Sequence, residues 1–150
     1  MSQSFAKFLA HVVYSTKNRE PVLTQSIRQD LYDYTAGILN TVDCMTLAIG
    51  GTSDHVHVLV QMSRTISLAK MVEEMKRGSS RWIKTRGTNF QEFSWQGGYG
   101  AFSVSESQLP TVKQYIANQE EHHRKKTFQD EFRTLLNKHN ITFDEKYIWG

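Results

Sequence analysis

The nine residues Asp54–Met62, DHVHVLVQM, alternate in the way a β-strand requires. Successive strand side chains point to opposite faces, so Val56, Val58, Val60 and Met62 share one side and His55, His57, Leu59 and Gln61 the other. The valine side suits a core beneath helices. Two imidazoles then lie next to each other on the opposite face. Upstream, Cys44–Ile49 is a second apolar run, and the intervening GGTS makes the pair read as a β-hairpin.

Working outward, Phe5–Thr16 is rich in β-branched and aromatic residues and reads as a long first strand. Gln25–Val42 carries Ile27, Leu31, Tyr34 and Ile38 at helical spacing, with Thr24 or Ser26 able to cap it. Ser67–Thr85 is a second amphipathic helix, burying Leu68, Met71, Val72, Met75, Trp82 and Ile83. Trp95–Ser105, WQGGYGAFSVS, reads as a fourth strand whose glycines permit a bulge or close backbone approach. A third helix starts at Pro110 and runs to about His123. A fourth begins at Thr127 with Asp130 three residues on, and buries Phe128, Phe132, Leu135 and Leu136. The order β-α-β-β-α-β plus two helices predicts an α+β, ferredoxin-like or RRM-like antiparallel sheet with C-terminal helices in one domain, residues 1–150.

Composition fits that reading. A chain of 150 residues with 39% hydrophobic residues fills one domain core. Its longest apolar runs, such as Val56–Val60, are far too short to span a membrane, and the start lacks the pattern of a signal peptide. The single cysteine, Cys44, fits a reducing cytoplasm. The net charge of +3 is concentrated: residues 64–86 carry seven Lys/Arg against Glu73 and Glu74, while the flanking regions are balanced. Such a segment is either a solvated helix face or the footprint of a polyanionic partner.

Two constellations carry chemistry. Histidines at i and i+2 of a strand can converge on one divalent cation, although an H-x-H pair serves structural hydrogen bonding as readily. Tyr115 and Gln119 lie at i and i+4 on the third helix and share a face. A tyrosine there alone is ordinarily a core or interface aromatic. Placed beside a metal held by neutral ligands, its hydroxyl can attack phosphorus while the cation stabilises the transition state.

Taken together, HVH on an internal strand, WQGGYGAFSVS, and YIANQEEHH on a late helix resemble the single-tyrosine HUH transposases. These are the enzymes of the insertion-sequence 200/605 group and their relatives associated with repeated extragenic palindromes. The resemblance runs from HVVYSTKNREPVL to TFQDEFRTLLNKHNI. It implies His55 and His57 as the HUH pair, Tyr115 as nucleophile, Gln119 as third metal ligand, and Mg²⁺ or Mn²⁺ as cofactor. It further implies cleavage and rejoining of single-stranded DNA beside hairpins through a 5′-phosphotyrosine, by a homodimer in which the tyrosine helix can serve the partner's histidines.

The remaining residues carry less specific expectations. Lys76, Arg77, Arg81, Lys84 and Arg86 are read as contacts to hairpin phosphates. His122 and His123 are read as contacts to phosphate or solvent rather than ligands, His11 as a packed structural histidine, and Trp82 as core. Tyr99 and Phe102 can either stack on bases or pack. Two competing readings are a HUH nicking endonuclease of replication-initiator type and a non-catalytic or domesticated RRM-like nucleic-acid-binding module.

Overall fold

The computed structural model describes residues 2–150. Four strands, β1 (Phe8–Ser15), β2 (Met45–Gly51), β3 (His55–Met62) and β4 (Gly100–Val104), form one antiparallel sheet in the order β2-β3-β1-β4. Helices α1 (Gln25–Thr41) and α2 (Leu68–Ile83) follow β1 and β3, as the β-α-β-β-α-β reading requires. Helices α3 (Leu109–Ala117), α4 (Gln119–His123) and α5 (Phe128–Lys138) complete the chain. Among the described residues no helix is long and apolar enough to cross a membrane.

Side-chain alternation on β1 and β3 builds two cores. Val12, Tyr14, Val56, Val58 and Val60 bury against Leu31, Met71, Val72 and Met75 beneath α1 and α2. On the other face, Val13 and Phe102 pack with Phe128, Phe132, Leu135 and Leu136 of α5. The sheet is thus covered on both sides, and His55, His57 and Leu59 are each 0% exposed. The apolar run of β3 is therefore that of a strand buried on both faces. Ser67 caps α2 by accepting from the Lys70 N–H, and Thr127 caps α5 by accepting from the Asp130 N–H.

Several boundaries depart from the sequence reading. The first strand starts at Phe8 rather than Phe5, whose side chain is exposed. Gly50 and Gly51 belong to β2 instead of the turn, paired with His57 and Val56, and a Cβ at either would strike backbone: Ile116 O at 2.6 Å and His55 O at 2.1 Å. The fourth strand is confined to Gly100–Val104; before it lies an isolated bridge between Thr16 and Trp95. At Gln96 the backbone N–H still donates to the Ser15 carbonyl while the side-chain carbonyl accepts the Ser15 N–H. The expected third helix breaks at Asn118, which has φ −99° and ψ 22°, so α3 and α4 are separate segments. Tyr34 faces outward and stacks on Trp82, itself only partly buried over the core, while Tyr32 and Thr35 take the inner face of α1. Phe102 packs, with its ring stacked on His139 at 4.4 Å between centroids.

Candidate active site

Side-chain register on β3 brings His55 and His57 onto the face covered by α3, α4 and α5. Gly50, opposite His57 in the ladder, has no side chain, so α3 settles directly on β2 with Ile116 buried against it. The next residue back, Tyr115, is thereby held beside the histidines, its ring 5.7 Å from His57. The break at Asn118 does not remove Gln119 from the site: it is 1% exposed, with its carbonyl oxygen 2.9 Å from His55 Nε2. The expected grouping of His55, His57, Tyr115 and Gln119 is therefore present in space.

At its centre is a residue the sequence reading passed over. Glu131 is 1% exposed and reaches in from α5. Its Oε1 lies 2.9 Å from His57 Nε2, 3.0 Å from His123 Nε2 and 3.5 Å from His55 Nε2. Its Oε2 accepts from the Tyr115 hydroxyl and from the Gln119 amide, the latter at 3.1 Å. Burial alone would raise this carboxyl, but hydrogen bonds from His123 and His57 and the surrounding imidazoles hold it far below the usual carboxylate range. A signal was available. Phe128, Glu131, Phe132 and Leu135 form an i, i+3, i+4, i+7 stripe, so the acid sits on the buried face of an amphipathic helix.

His123 also departs from expectation. It faces inward with its side chain 10% exposed, whereas the His122 side chain is 31% exposed. The ring atoms of His55, His57 and His123 and one Glu131 oxygen lie within 4.8 Å of one another. A divalent cation bound at ~2.1 Å spreads opposed ligands to about 4.2 Å, so little contraction would close this set on one ion.

The hydrogen-bond chemistry gives a second test of fit. The Asp54 carboxylate can only accept, and it accepts from His55 Nδ1–H at 2.7 Å. The Lys126 carbonyl likewise accepts from His123 Nδ1–H at 2.6 Å. Each ring then turns its Nε2 toward an acceptor oxygen of Gln119 or Glu131, a contact that needs either a proton on that nitrogen or a cation between the two. Converging lone pairs at the centre of a buried site are resolved by a proton or by a cation. The donors present fit a metal ion, with Gln119 close enough to join them.

Electrostatics at Tyr115 follow from the same carboxylate. Burial and the neighbouring Glu131 charge push the Tyr115 phenol well above its ordinary value. Burial holds His57 down to about 4 and His11 down to about 3, so both rings are neutral near pH 7. A cavity of about 530 Å³ between β4, α3 and α5 opens beside Tyr115 and is bordered by Lys126 and Lys138.

The basic segment spans α2 and its two flanks, in the helical layer across the sheet from Tyr115. The Lys76 ammonium donates to the Gln96 and Gly98 carbonyls at 2.5 and 2.9 Å, bracing the loop before β4. Arg77 pairs with Glu73 and Glu74. Arg86 lies over the Trp82 ring, 5.4 Å from its centroid, while Arg81 and Lys84 are exposed.

Comparison with solved structures places the fold among known ones. A crystal structure of a Deinococcus radiodurans R1 protein named as a transposase superposes with TM-score 0.62 at 24% identity, covering 79% of this chain and 98% of that one. The structure of a REP-associated tyrosine transposase bound to a REP hairpin superposes with TM-score 0.60 at 13% identity, covering 82% of this chain and 74% of that one. Curated proteins yield no match. The family model described as "Transposase IS200 like" matches residues 4–119, from just before the first strand to the glutamine beside His55. Because that match spans most of the chain, taking in His55, His57 and Tyr115, the chain belongs to the IS200-like transposases.

Proposed function

We propose that this transposase cuts and rejoins single-stranded DNA beside hairpins through a covalent bond to Tyr115. The observation that carries the reading is the double engagement of Glu131: one oxygen faces three histidines and the other holds the Tyr115 hydroxyl. The phenol and a cation-binding cluster thus share one carboxylate. His55 and His57, with Gln119 and with His123 and Glu131 drawn from the same cluster, would hold Mg²⁺ or Mn²⁺. When bound, the cation polarises a phosphodiester oxygen and favours the ionised phenol that burial and Glu131 otherwise disfavour.

Tyr115 supplies the nucleophile. Glu131 Oε2, which receives its hydrogen bond, is placed to take its proton as the phenolic oxygen attacks phosphorus. The new bond joins the tyrosine oxygen to a 5′-phosphate as the bond to the 3′-oxygen breaks, and that oxygen takes up a proton from water to leave a 3′-hydroxyl. The phosphotyrosine is close in energy to the diester it replaces, so a second 3′-hydroxyl can reverse the step without a nucleotide triphosphate. Arg81, Lys84 and Arg86, with Arg77 once released from its glutamates, supply salt-sensitive contacts to hairpin phosphates; Lys76 contributes by holding its loop. The hairpin carried by the REP-associated neighbour supports this substrate class. A DNA substrate of this kind puts the work in the cytoplasm, and a two-fold homodimer can exchange tyrosine helices between sites.

Incubation with Mn²⁺ and a labelled hairpin bearing a single-stranded flank tests the reading. The wild type should give a covalent protein–DNA band that Tyr115→Phe lacks, with hairpin affinity unchanged. A phenylalanine variant that still forms the adduct removes Tyr115 from the mechanism.

A further inference from the structure

The cluster imidazoles are held from outside in two different ways. His55 and His123 rest their Nδ1 atoms on groups that only accept, the Asp54 carboxylate and the Lys126 carbonyl. Those bonds keep a ring proton on Nδ1 and turn Nε2 toward the centre. His57 has no such acceptor at its outer nitrogen. Its Nδ1 meets Nε2 of His11 at 2.7 Å, and a neutral imidazole can either donate or accept there.

We propose that His11 is the positioning residue of His57, accepting its Nδ1–H when a divalent cation occupies Nε2 and donating to Nδ1 when the cation is absent. The proposal rests on the reading of His55 and His57 as metal ligands. The register explains why His11 can do this: Val13 lies opposite His57 and His11 opposite Leu59, so His11 stands one step along the same face. Its ring lies 29° from the His57 plane with centroids 5.0 Å apart. The ring is 4% exposed, and the Phe102 and Tyr115 rings meet it edge-on at 6.2 and 6.1 Å. Held this way, it has little freedom to turn from His57.

The proton count closes. Without a cation, Glu131 Oε1 at 2.9 Å is the acceptor for His57 Nε2–H, so Nδ1 is bare and takes His11 Nε2–H. With a cation, His57 Nε2 must be bare, its proton sits on Nδ1, and it donates to His11 Nε2. The His11 proton is then on its own Nδ1. The two rings carry one proton each in both states and exchange them with water through the cavity that His11 borders. A carboxylate at this position would serve only the loaded state and an ammonium only the empty one. Partners of ligating histidines are typically worth ~10–100-fold in metal affinity, because they fix ring orientation and tautomer.

The test reads tautomer and affinity separately from cleavage. In isotope-labelled wild type, proton–nitrogen spectra should place the His57 proton on Nε2 after chelation and on Nδ1 at saturating Mg²⁺. A proton that stays on one nitrogen in both states overturns the proposal. In Mn²⁺ titrations, His11→Phe, which keeps a ring without its nitrogens, should bind about 10–100-fold more weakly. His11→Gln, whose amide can turn either way, should return to near wild-type affinity. Wild-type affinity in folded His11→Phe, or equal loss in both variants, overturns the role of His11 alone. Should His11→Phe fail to fold, the wild-type spectra decide. A wild type that takes up no Mn²⁺ overturns the metal reading, and this proposal with it.

Discussion

Gly50→Ala places a single methyl group where α3 rests on the sheet. An ideal Cβ at Gly50 would stand 2.6 Å from the Ile116 carbonyl oxygen and 3.1 Å from Ile116 Cγ2. Non-bonded heavy atoms settle near 3.5–4.0 Å, so α3 and β2 must separate by about 0.8 Å or more. The nearer obstacle is backbone, so no rotamer change relieves it. Ile116 adjoins Tyr115, and the phenol oxygen should move by a comparable distance relative to His57 and Glu131. A misplacement of about 1 Å costs on the order of 10²-fold in rate, which sets the expected loss of single-turnover adduct formation at roughly 10–100-fold. Overpacking should also cost ~1–3 kcal/mol of stability, so the assay belongs well below the unfolding midpoint. Hairpin affinity should be unchanged. Gly37→Ala on α1 is the control, because a Cβ there meets nothing within 4 Å. A folded Gly50→Ala protein that forms adduct at the wild-type single-turnover rate would refute the claim that this contact positions the nucleophile.

Two further outcomes follow from the site. Chelator-treated protein should lose stability as pH falls from about 6.5 toward 4, because burial holds His57 at about 4 and His11 at about 3, and the unfolded chain takes up protons the folded one refuses. Each contributes about 1.4 kcal/mol per pH unit. His123, raised by Glu131 against its own burial, is protonated in both states below 6.5 and adds no slope there; its contribution is lost only as pH rises above that value. His122, lowered by burial, adds to the slope of His57 and His11. The Glu131 carboxylate, depressed by its imidazole partners, stabilises above its ordinary 4.5 and fades only in stronger acid. Urea midpoints that rise toward pH 4 would contradict buried neutral rings. For the dimer, mixing Tyr115→Phe with His57→Ala subunits should restore adduct formation if tyrosine helices cross between protomers, since one composite site is then intact. Continued inactivity in a mixture proven to exchange subunits would exclude the crossed form as the cleaving state.

Much of this molecule is legible in one dimension. Alternation in DHVHVLVQM requires that His55 and His57 share a face, and a strand's pleat keeps them there whatever surrounds it. Helical spacing puts Tyr115 and Gln119 on one face, although it does not foretell the break between them at Asn118. Local periodicity also yields the order of elements along the chain and the buried face of α5.

What periodicity cannot state is which elements share a space. Glu131 joins the histidines only because α5 folds back across the sheet, 74 positions beyond His57 in the chain. His11 reaches His57 only through the β1–β3 register, 46 positions away. The glycine that seats the tyrosine helix reads as turn sequence until α3 is laid over it. Likewise, Lys76 reads as a phosphate contact until tertiary packing gives its ammonium two carbonyls to hold. Each of these depends on a contact between distant segments. The backbone geometry that a sequence pattern encodes extends only a few residues, and the charge of a buried group depends on neighbours brought from elsewhere in the chain.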